Sequence, residues 1–260
     1  MNCVKKLKEL LKKNVEIRKL ENNDKYITLK NATVSKPDDF EAWLNYGDFL
    51  LNELDMPKDA IKAYERAQVL LPNGDFRLRI GEAYAVMGNY DKALSIINES
   101  IKDKPRAHAY IILANVYIMM EDYKNAKSAC LNALKNDQAF EEAHFILGQL
   151  EKKDEVAIEH YRRAIELDPE YHIAWQNLGK RYLKLAKFQL AIESLEKALK
   201  FDPNDSWTRL YLANAFWQFG KISEADRHFR ILIDQKPNDK EIRRWYFDFL
   251  NAKKKRDTEI

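Results

Sequence analysis

The sequence predicts an all-α protein built from a repeated pair of short helices. A set of small and large apolar residues recurs at intervals of about 34 residues along most of the chain. Within each copy the apolar positions follow the spacing of one helix face. The 260 residues include only seven glycines, about 3% against an average of about 7%, which disfavours a sheet protein with tight turns. Stacked helix pairs, which bury their apolar faces against one another, are therefore predicted.

The clearest copy of the repeat begins at His172, which we number as position 1. Positions 4, 7, 8 and 11 form one stripe of a first helix, and position 20 carries a small residue on a second helix. A proline at position 32 separates one copy from the next, because proline is not tolerated inside a helix. The residues that carry the pattern are Trp175, Leu178, Gly179, Tyr182, Ala191, Leu195, Ala198 and Pro203.

Five further copies follow the same pattern along the chain. The first has one extra residue between its helices, the third has Gln138 in place of proline, and the fourth lacks three residues. Small residues at positions 8 and 20 allow the paired helices to approach closely, whereas a bulky residue there would overpack the contact. The sequence thus predicts six units over residues 40–237, which start near Phe40, Gly74, Ala107, Glu141, His172 and Ser206.

This pattern resembles the tetratricopeptide repeat (TPR), and the clearest copy matches it at every marked position. The resemblance implies a right-handed TPR helical solenoid, an all-α fold in which the first helices of the units line a concave groove. Proteins of this family bind peptides and partner proteins in the groove. The expected function is therefore a non-enzymatic adaptor or scaffold that binds a partner peptide or helix.

The two ends of the chain are predicted to cap the array. Residues 1–36 are expected to form a degenerate helical pair, since residues 2–20 carry apolar residues at helical spacing and residues 24–35 resemble a lone second helix. At the other end, residues 240–253 are expected to form a capping helix that carries Trp245, Phe247 and Phe249. Residues 254–260 are expected to be frayed.

Composition disfavours several other classes of protein. Two cysteines, Cys3 and Cys130, do not suffice for a disulfide framework or a four-cysteine zinc site. The five histidines lack the spacing of a metal site, and no glycine-rich phosphate loop or pair of nucleophile and base is evident. No apolar run approaches the roughly 20 residues of a membrane-spanning helix, and the N-terminus lacks a secretory leader. We therefore expect no enzyme activity, no cofactor, no metal and a cytoplasmic location.

Charge is unevenly distributed along the chain, and its pattern suggests an alternative function. Residues 1–36 are strongly basic, whereas residues 37–150 carry 18 acidic and 12 basic side chains. If the basic N-terminal segment of one molecule met the acidic middle segment of another, the chain would self-assemble in a way that is sensitive to salt.

A second alternative function comes from a resemblance. Segments such as FEAWLNYGDFL also resemble half-a-TPR repeats, which occur in RNA-processing complexes, so an RNA-processing scaffold is the other alternative. Direct binding of nucleic acid is not favoured, because no single large basic surface is predicted.

The candidate partner-binding residues lie on the first helices of the units. Positions 2, 6, 9 and 13 point away from the packing stripe and positions 5 and 12 flank them, so an apolar centre and an aromatic C-terminal end are expected. The alternatives are that the centre is buried against the chain itself and that the aromatic residues pack under the C-terminal cap. The candidates are Asn45, Arg79, Ile111, Ile112, Asn115, Phe145, Ile146, Asn177, Lys180, Trp207, Tyr211 and Asn214.

Two more specific binding modes can be compared with the sequence. Relatives that hold the acidic tails of chaperones use a carboxylate clamp of Lys and Asn at positions 5 and 9, Asn at 6 of the next copy, and Lys and Arg at 2 and 6 of the third. No window of this chain fits that pattern, so the clamp is not predicted. The last residues, Thr258, Glu259 and Ile260, match a short C-terminal pattern that some PDZ domains read by strand addition.

Overall fold

The computed structural model describes residues 23–258, and within this range the secondary structure is entirely helical. This confirms the predicted all-α class. The chain divides into two compact units, unit 1 from Met1 to Ala129 and unit 2 from Cys130 to Ile260. The predicted helix over residues 2–20 and the C-terminal pattern at Glu259 and Ile260 lie outside the described residues.

Unit 1 is a succession of short antiparallel-paired helices. Helix α1 packs against α2, α2 pairs with α3, and α4 pairs with α5. The side chain of Asn23 caps α1 and that of Asp39 caps α2, since each accepts a hydrogen bond from a backbone N–H of the first turn. The helices are α1 (Asp24–Ser35), α2 (Phe40–Asn52), α3 (Pro57–Leu70), α4 (Arg77–Val86), α5 (Tyr90–Asp103), α6 (Ala107–Met119) and α7 (Tyr123–Asn136), the last of which continues into unit 2.

Unit 2 repeats the arrangement. Helices α8 and α9, α10 and α11, and α12 and α13 form pairs, and the last helix, α14, packs on α13. Asp205 caps α12, and Gly220 ends it in the left-handed conformation with φ of 88°. The helices are α8 (Glu141–Leu150), α9 (Asp154–Leu167), α10 (His172–Lys184), α11 (Phe188–Phe201), α12 (Ser206–Phe219), α13 (Ile222–Gln235) and α14 (Lys240–Thr258).

The first helices of the pairs begin close to the predicted unit starts, except α4. Helix α4 begins at Arg77, three residues after Gly74, because the preceding loop is held in a non-helical form. The side-chain amide of Gln68 donates to the carbonyls of Leu71, Pro72 and Gly74, the last at 2.7 Å, and accepts from the N–H of Phe76. One side chain thus satisfies four backbone groups of the loop.

The last helix is longer than predicted. The sequence analysis ended it at residue 253 and expected a frayed tail over 254–260, whereas α14 extends to Thr258. The segment after residue 253 contains neither glycine nor proline, and its lysines and arginine are good helix formers. The helix propensity of this charged segment therefore outweighs the tendency of the last residues of a chain to fray.

Close approach of the paired helices depends on the predicted small residues. A Cβ atom added to Gly47 would lie 2.5 Å from the ring of Tyr64, and one added to Gly179 would lie 2.6 Å from Cγ of Leu195. The alanines at position 20 are fully buried in all six pairs: Ala60, Ala93, Ala126, Ala157, Ala191 and Ala225. Size at these positions therefore sets the distance between the two helices of a pair.

A tryptophan at position 4 ties a pair to the segment that precedes it. The indole N–H of Trp43 donates to the carbonyl of Pro37 at 3.0 Å, and that of Trp175 donates to the carbonyl of Pro169 at 2.9 Å. Proline ends the preceding helix, and the hydrogen bond then fixes the direction in which the next helix leaves. These hydrogen bonds therefore help to fix the orientation of α2 in unit 1 and of α10 in unit 2.

Candidate functional site

The outward faces of the first helices form what we call the first-helix wall of each unit, from α2, α4 and α6 in unit 1 and from α8, α10 and α12 in unit 2. In unit 1 the wall contains a cavity of about 160 Å³. Two exposed asparagines contribute side-chain amides to it, and Val86 and Met119 are 43% and 44% exposed. We call it the amide cavity; its lining includes Leu51, Asn52, Glu82, Val86, Asn115 and Met119.

A second cavity of about 280 Å³ on the same wall is lined by charged residues, and we call it the ionic pocket. Asp48 is held from two sides, because its Oδ1 accepts from the hydroxyl of Tyr64 at 2.9 Å and from Nε of Arg79 at 3.0 Å. Arg79 is thus committed to an ion pair with Asp48. The charged and titratable residues of the ionic pocket are Asp48, Asp75, Arg79, Glu82, Arg106 and His108.

Asp75 is the most heavily bonded acid of the ionic pocket. Its Oδ1 accepts from Nε of Arg77 at 2.8 Å, and its Oδ2 accepts from Oγ of Ser100 at 2.7 Å and from Nη2 of Arg106 at 2.8 Å. Burial alone would raise the pKa of Asp75, but the hydrogen bonds from Arg77 and Ser100 bring it below its usual value. Asp75 therefore stays ionised and joins α5 to the segments that precede α4 and α6.

His108 faces the same pocket as a neutral imidazole. Burial lowers its pKa, and the positive charges of Arg79 and Arg106 lower it further. A protonated His108 would place a third cation beside two arginines. The acids Asp48 and Asp75 of the ionic pocket are therefore paired with arginines, although Nε of Arg106 is buried without a hydrogen-bond partner among the described residues. The exposed amides of the wall in unit 1, by contrast, lie at the amide cavity.

In unit 2 the wall has a different chemistry. A cavity of about 370 Å³ is lined by Gln149, Tyr161, Asn177, Lys180, Arg181 and Lys184, and we call it the lysine pocket. Arg181 and Lys184 both bind Asp154, with N–O distances of 2.7 Å and 2.8 Å. Hydrogen bonds from Lys184 and Arg181 lower the pKa of Asp154, which therefore remains a carboxylate.

The C-terminal end of the wall carries aromatic side chains. Trp207 is 46% exposed, and its ring centroid lies 6.5 Å from that of Tyr211. The ammonium of Lys180 lies 5.2 Å from the centroid of Tyr211, within the range of a cation–π contact. Burial raises the pKa of Tyr211, and the nearby charges of Glu241 and Asp205 raise it further, so this ring remains a neutral phenol.

Four of the five residues predicted to form the apolar centre of the groove are buried, whereas the fifth, Met119, is 44% exposed. Ile111, Ile112, Phe145 and Ile146 are 1%, 2%, 8% and 3% exposed, so the alternative that the centre is buried within the chain is correct. Phe145 packs against the rings of Tyr161 and Tyr171, with centroids 6.0 Å and 5.0 Å apart.

The physical reason is the direction of positions 5 and 6 on the first helix. Side chains there meet other segments of the chain rather than open space, as Phe145 does with Tyr161 of α9 and with Tyr171 in the loop before α10. Gln176, at position 5 of α10, shows this direction, because its amide donates to Asp205 at the start of α12 and to Thr208 within it, at 2.6 Å and 2.7 Å.

The other candidate residues fall into two groups. Asn45, Asn115, Lys180 and Trp207 are exposed on the wall. Arg79, Asn177, Tyr211 and Asn214 are partly buried, and the amide of Asn177 donates to the carbonyl of Ile173. The alternative of packing under the C-terminal helix holds for Trp217, which meets Phe249 edge-on at 5.7 Å, but not for Trp207.

Four residues of the cavities lie at positions that the sequence predicts to face the groove, although they were not selected as candidates. Asn52 and Met119 of the amide cavity and Gln149 and Lys184 of the lysine pocket occupy positions 9 or 13 of their units. The signal for them was present, since these positions point most directly away from the packing stripe. The ion pair of Asp48 with Arg79 gave no such signal, because it joins two successive helix pairs of unit 1.

Neither a metal centre nor a membrane span is evident in the described part of the chain. Within residues 23–258 no group of three or more His, Cys, Asp or Glu side chains is placed to hold a metal ion. The closest approach of two histidines joins Nδ1 of His144 and Nδ1 of His160 at 3.2 Å. None of the helices of this range is long and apolar enough to cross a membrane.

Comparison with protein-family models identifies the repeats. Residues 53–108, 107–140 and 182–245 match models described as tetratricopeptide repeat, and residues 151–186 match one described as TPR repeat. The matched segments thus extend from residue 53 to residue 245, with a break only at residues 141–150. Both units therefore contain matched repeats.

Relatives resemble the chain over limited parts of their own length. Human "Protein O-mannosyl-transferase TMTC1" is 28% identical over 165 residues, which are 60% of this chain and 19% of that protein. Bovine "BBSome complex member BBS4" is 27% identical over 183 residues, which are 67% of this chain and 34% of that protein. The chain therefore spans a fifth to a third of the length of these relatives.

A solved structure shows the same fold. The structure titled "Crystal structure of APC/C hetero-tetramer Cut9-Hcn1" matches with a TM-score of 0.69 at 18% sequence identity, over 86% of this chain and 45% of that chain. With the helix pairs, the small residues at their contacts and the four matched segments, this similarity leads to one conclusion. The chain belongs to the tetratricopeptide repeat family.

Proposed function

We propose that the chain is a non-enzymatic scaffold that binds an extended segment of a partner protein on its first-helix wall, with the amide cavity of unit 1 as the main contact. The observation that carries the proposal is that two exposed side-chain amides and two exposed apolar side chains surround one cavity. These residues are Asn52, Asn115, Val86 and Met119.

The chemistry of these side chains fits a peptide backbone. An asparagine amide offers an acceptor oxygen and two N–H donors, which match the N–H and C=O groups of an extended chain. Met119 is unbranched and adapts to side chains of different shapes, while Val86 supplies a stiffer apolar contact. A segment with small apolar side chains would satisfy both kinds of contact in a cavity of about 160 Å³.

The ionic pocket beside the amide cavity limits the partner's charge. Asp48 and Asp75 already bind arginines, so an incoming charged group would have to break those ion pairs. Breaking a paired, half-buried contact leaves an uncompensated charge and is costly. The segment bound in unit 1 is therefore expected to be largely uncharged.

The fold supports this function at a coarser level, because the tetratricopeptide fold suggests a protein–protein interaction scaffold. Two of the similar proteins are named as members of complexes, the BBSome and the APC/C. The transferase named among the relatives extends far beyond the matched 19%, so its activity is not carried over to this chain. An intracellular location is part of the proposal, and the free, buried thiol of Cys130 is consistent with it.

The test replaces the two amides. We expect Asn52→Ala with Asn115→Ala to reduce capture of bound proteins from a lysate of the source organism by about tenfold, since each amide contact contributes about 0.5–1.5 kcal/mol. Bound proteins are quantified by mass spectrometry. Both side chains are exposed, so the helical circular dichroism spectrum should not change.

The matched control removes two exposed amides elsewhere in unit 1, Asn73 in the loop before α4 and Asn98 on the second helix α5. Asn73→Ala with Asn98→Ala should leave capture unchanged. The proposal fails if all three proteins capture the same set. Recovery of nothing but further copies of this chain, with either variant, would instead support self-assembly.

A further inference from the structure

The lysine pocket of unit 2 has a charge pattern that differs from that of the ionic pocket in unit 1. Its lining contains three cations, Lys180, Arg181 and Lys184, and no carboxylate. The neighbouring acid is Asp154, whose side chain is 13% exposed and which contributes a single negative charge against the three positive ones. The group as a whole thus carries excess positive charge beside an open cavity of about 370 Å³.

The three cations are not equivalent. The guanidinium of Arg181 is fixed, because Nη1 binds Asp154 and Nη2 donates to the carbonyls of Gly148 and Glu151. The side chain of Lys184 is 62% exposed although it contacts Asp154. Lys180 forms no ion pair in the described part of the chain, and its ammonium lies over Tyr211. Lys180 and Lys184 are therefore the groups able to turn toward a ligand.

The spacing of these lysines and the polar groups around them suit a peptide. Lys180 and Lys184 are four residues apart on α10, so they project from the same face with Cβ atoms about 5–6 Å apart. Asn177 uses its amide N–H on the carbonyl of Ile173, which leaves its oxygen for a peptide N–H. Gln149 of α8 adds an exposed amide to the lining of the pocket.

Carboxylates fit this set better than phosphates do. Phosphate recognition favours the planar fork of arginine, and the fork of Arg181 is already bound to Asp154 and two carbonyls. Lysines act as separate point charges and suit carboxylates carried on successive side chains.

We infer that the lysine pocket binds an acidic segment of a partner protein, whose Asp or Glu carboxylates pair with Lys180 and Lys184. This arrangement differs from the chaperone-tail clamp, which needs basic residues at positions 2, 5 and 6, whereas these lysines occupy positions 9 and 13 of one helix. The inference is independent of the amide cavity, because all of its residues belong to unit 2.

The test uses the full chain and fluorescently labelled hexaglutamate as the probe, with binding measured by anisotropy at low and at high salt. Hexaglutamate should bind and hexaglutamine should not, and added salt should weaken binding because exposed charges are screened. Lys180→Gln with Lys184→Gln should weaken binding by about tenfold or more, as expected for the loss of two charged contacts. Lys180→Gln alone should give a smaller loss without a change in fold, since it breaks no ion pair.

The matched control removes the same charge from the second helix α11, with Lys197→Gln and Lys200→Gln, both exposed. This variant should bind hexaglutamate like the wild type. If both double variants bound hexaglutamate equally weakly, binding would depend only on the net charge of the protein, and the inference would be wrong. A phosphoserine peptide or an oligothymidine that competes better than hexaglutamate, and only when Lys180 is present, would assign the pocket to phosphate instead. The capture experiment with Asn52→Ala and Asn115→Ala tests the amide cavity, and the anisotropy experiment tests the lysine pocket. Either proposal can therefore fail while the other holds.

Discussion

At the scale of the residue, the backbone of the turns between paired helices is set by one position. Five residues at or next to position 15 of their copies of the repeat have positive φ, and three of them are not glycine. A left-handed conformation costs a residue with a Cβ atom about 1–2 kcal/mol. The fourth pair, which lacks three residues, has no such residue within the described chain. The five are Asp55, Gly88, Glu121, Ala186 and Gly220, with φ of 52°, 73°, 60°, 55° and 88°.

This strain predicts opposite effects of two exchanges at equivalent turns. Ala186→Gly should stabilise the protein by about 0.5–1 kcal/mol, because relief of the left-handed strain exceeds the added entropy of the unfolded chain. Gly220→Ala should destabilise it by about 1 kcal/mol, since a Cβ atom there meets nothing within 4 Å and the cost is the backbone alone. Urea unfolding measures both. Changes of the same sign in the two variants would contradict the explanation.

His228 illustrates a second effect of a single residue, the pH dependence of stability. It is 8% exposed and stacks on Phe216 with ring centroids 5.5 Å apart, and its Nδ1 has no hydrogen-bond partner among the described residues. Burial, together with the charges of Arg227 and Arg209, lowers its pKa to about 4 from an ordinary value of 6.5. Folding therefore favours the neutral ring.

Because the folded-state pKa lies below the unfolded one, the stability linked to His228 is complete above pH 6.5 and is lost as the pH falls toward 4. The loss should reach about 3 kcal/mol at the acid end. We expect the free energy of unfolding of the wild type to fall toward that of His228→Leu between pH 7 and pH 4. Urea titrations at several pH values measure the difference. Parallel profiles of the two proteins would rule out His228 as the source.

At the scale of the element, a helix pair depends on contact between position 8 of the first helix and position 24 of the second. In four pairs a glycine at position 8 lies against a large side chain at position 24. A Cβ atom at Gly47, Gly81, Gly148 or Gly179 would approach within 2.5–2.7 Å of that side chain. Tyr64, Ile97, Tyr161 and Leu195, respectively, occupy the space that the missing side chains leave.

Gly179→Ala tests this contact against helix propensity. Alanine favours a helix over glycine by about 1 kcal/mol, so an unpacked site would be stabilised. Here the new Cβ would lie 2.6 Å from Cγ of Leu195 and 3.3 Å from the carbonyl oxygen of Ala191, and overpacking costs about 1–3 kcal/mol. We expect net destabilisation in urea unfolding. The double variant Gly179→Ala with Leu195→Ala should recover part of the loss, and a more stable single variant would show that the pair tolerates wider spacing.

At the scale of the whole molecule, the same repeat forms two first-helix walls of different chemistry. The wall of unit 1 combines neutral amides with carboxylates that are already paired, whereas the wall of unit 2 combines spare lysine charge with the exposed ring of Trp207 and the partly buried ring of Tyr211. The packing stripe is shared by both units, so the difference lies entirely in residues that packing leaves free. A net charge of +3 for the chain conceals this contrast.

Much of the fold was predictable because packing positions repeat. The small residues at positions 8 and 20 follow from contacts that every pair must make, and the prolines recur between most of the pairs. The start of α4 was less predictable, since the amide of Gln68 binds a loop that its own sequence does not distinguish from a helix start. The extension of α14 to Thr258 likewise needed a balance between helix propensity and chain-end fraying.

The candidate site was predicted only in part, for a reason that Ile112 and Asn115 make clear. Both lie on the outward half of α6, yet Ile112 is 2% exposed and Asn115 is exposed, because the surrounding chain covers position 6 and leaves position 9 open. Helical periodicity gives the angle of a residue around its own axis. It does not give the distance to the next helix.

The sequence by itself thus determined the all-α class, the pairing of helices and the family, since these depend on local periodicity and on side-chain size. The tertiary structure decided which outward residues remain open, which charges are paired and which are spare. Asp48 meets Arg79, and Arg181 meets Asp154, across about 30 residues of chain. Such contacts depend on how one pair stacks on the next, and no single repeat encodes that distance.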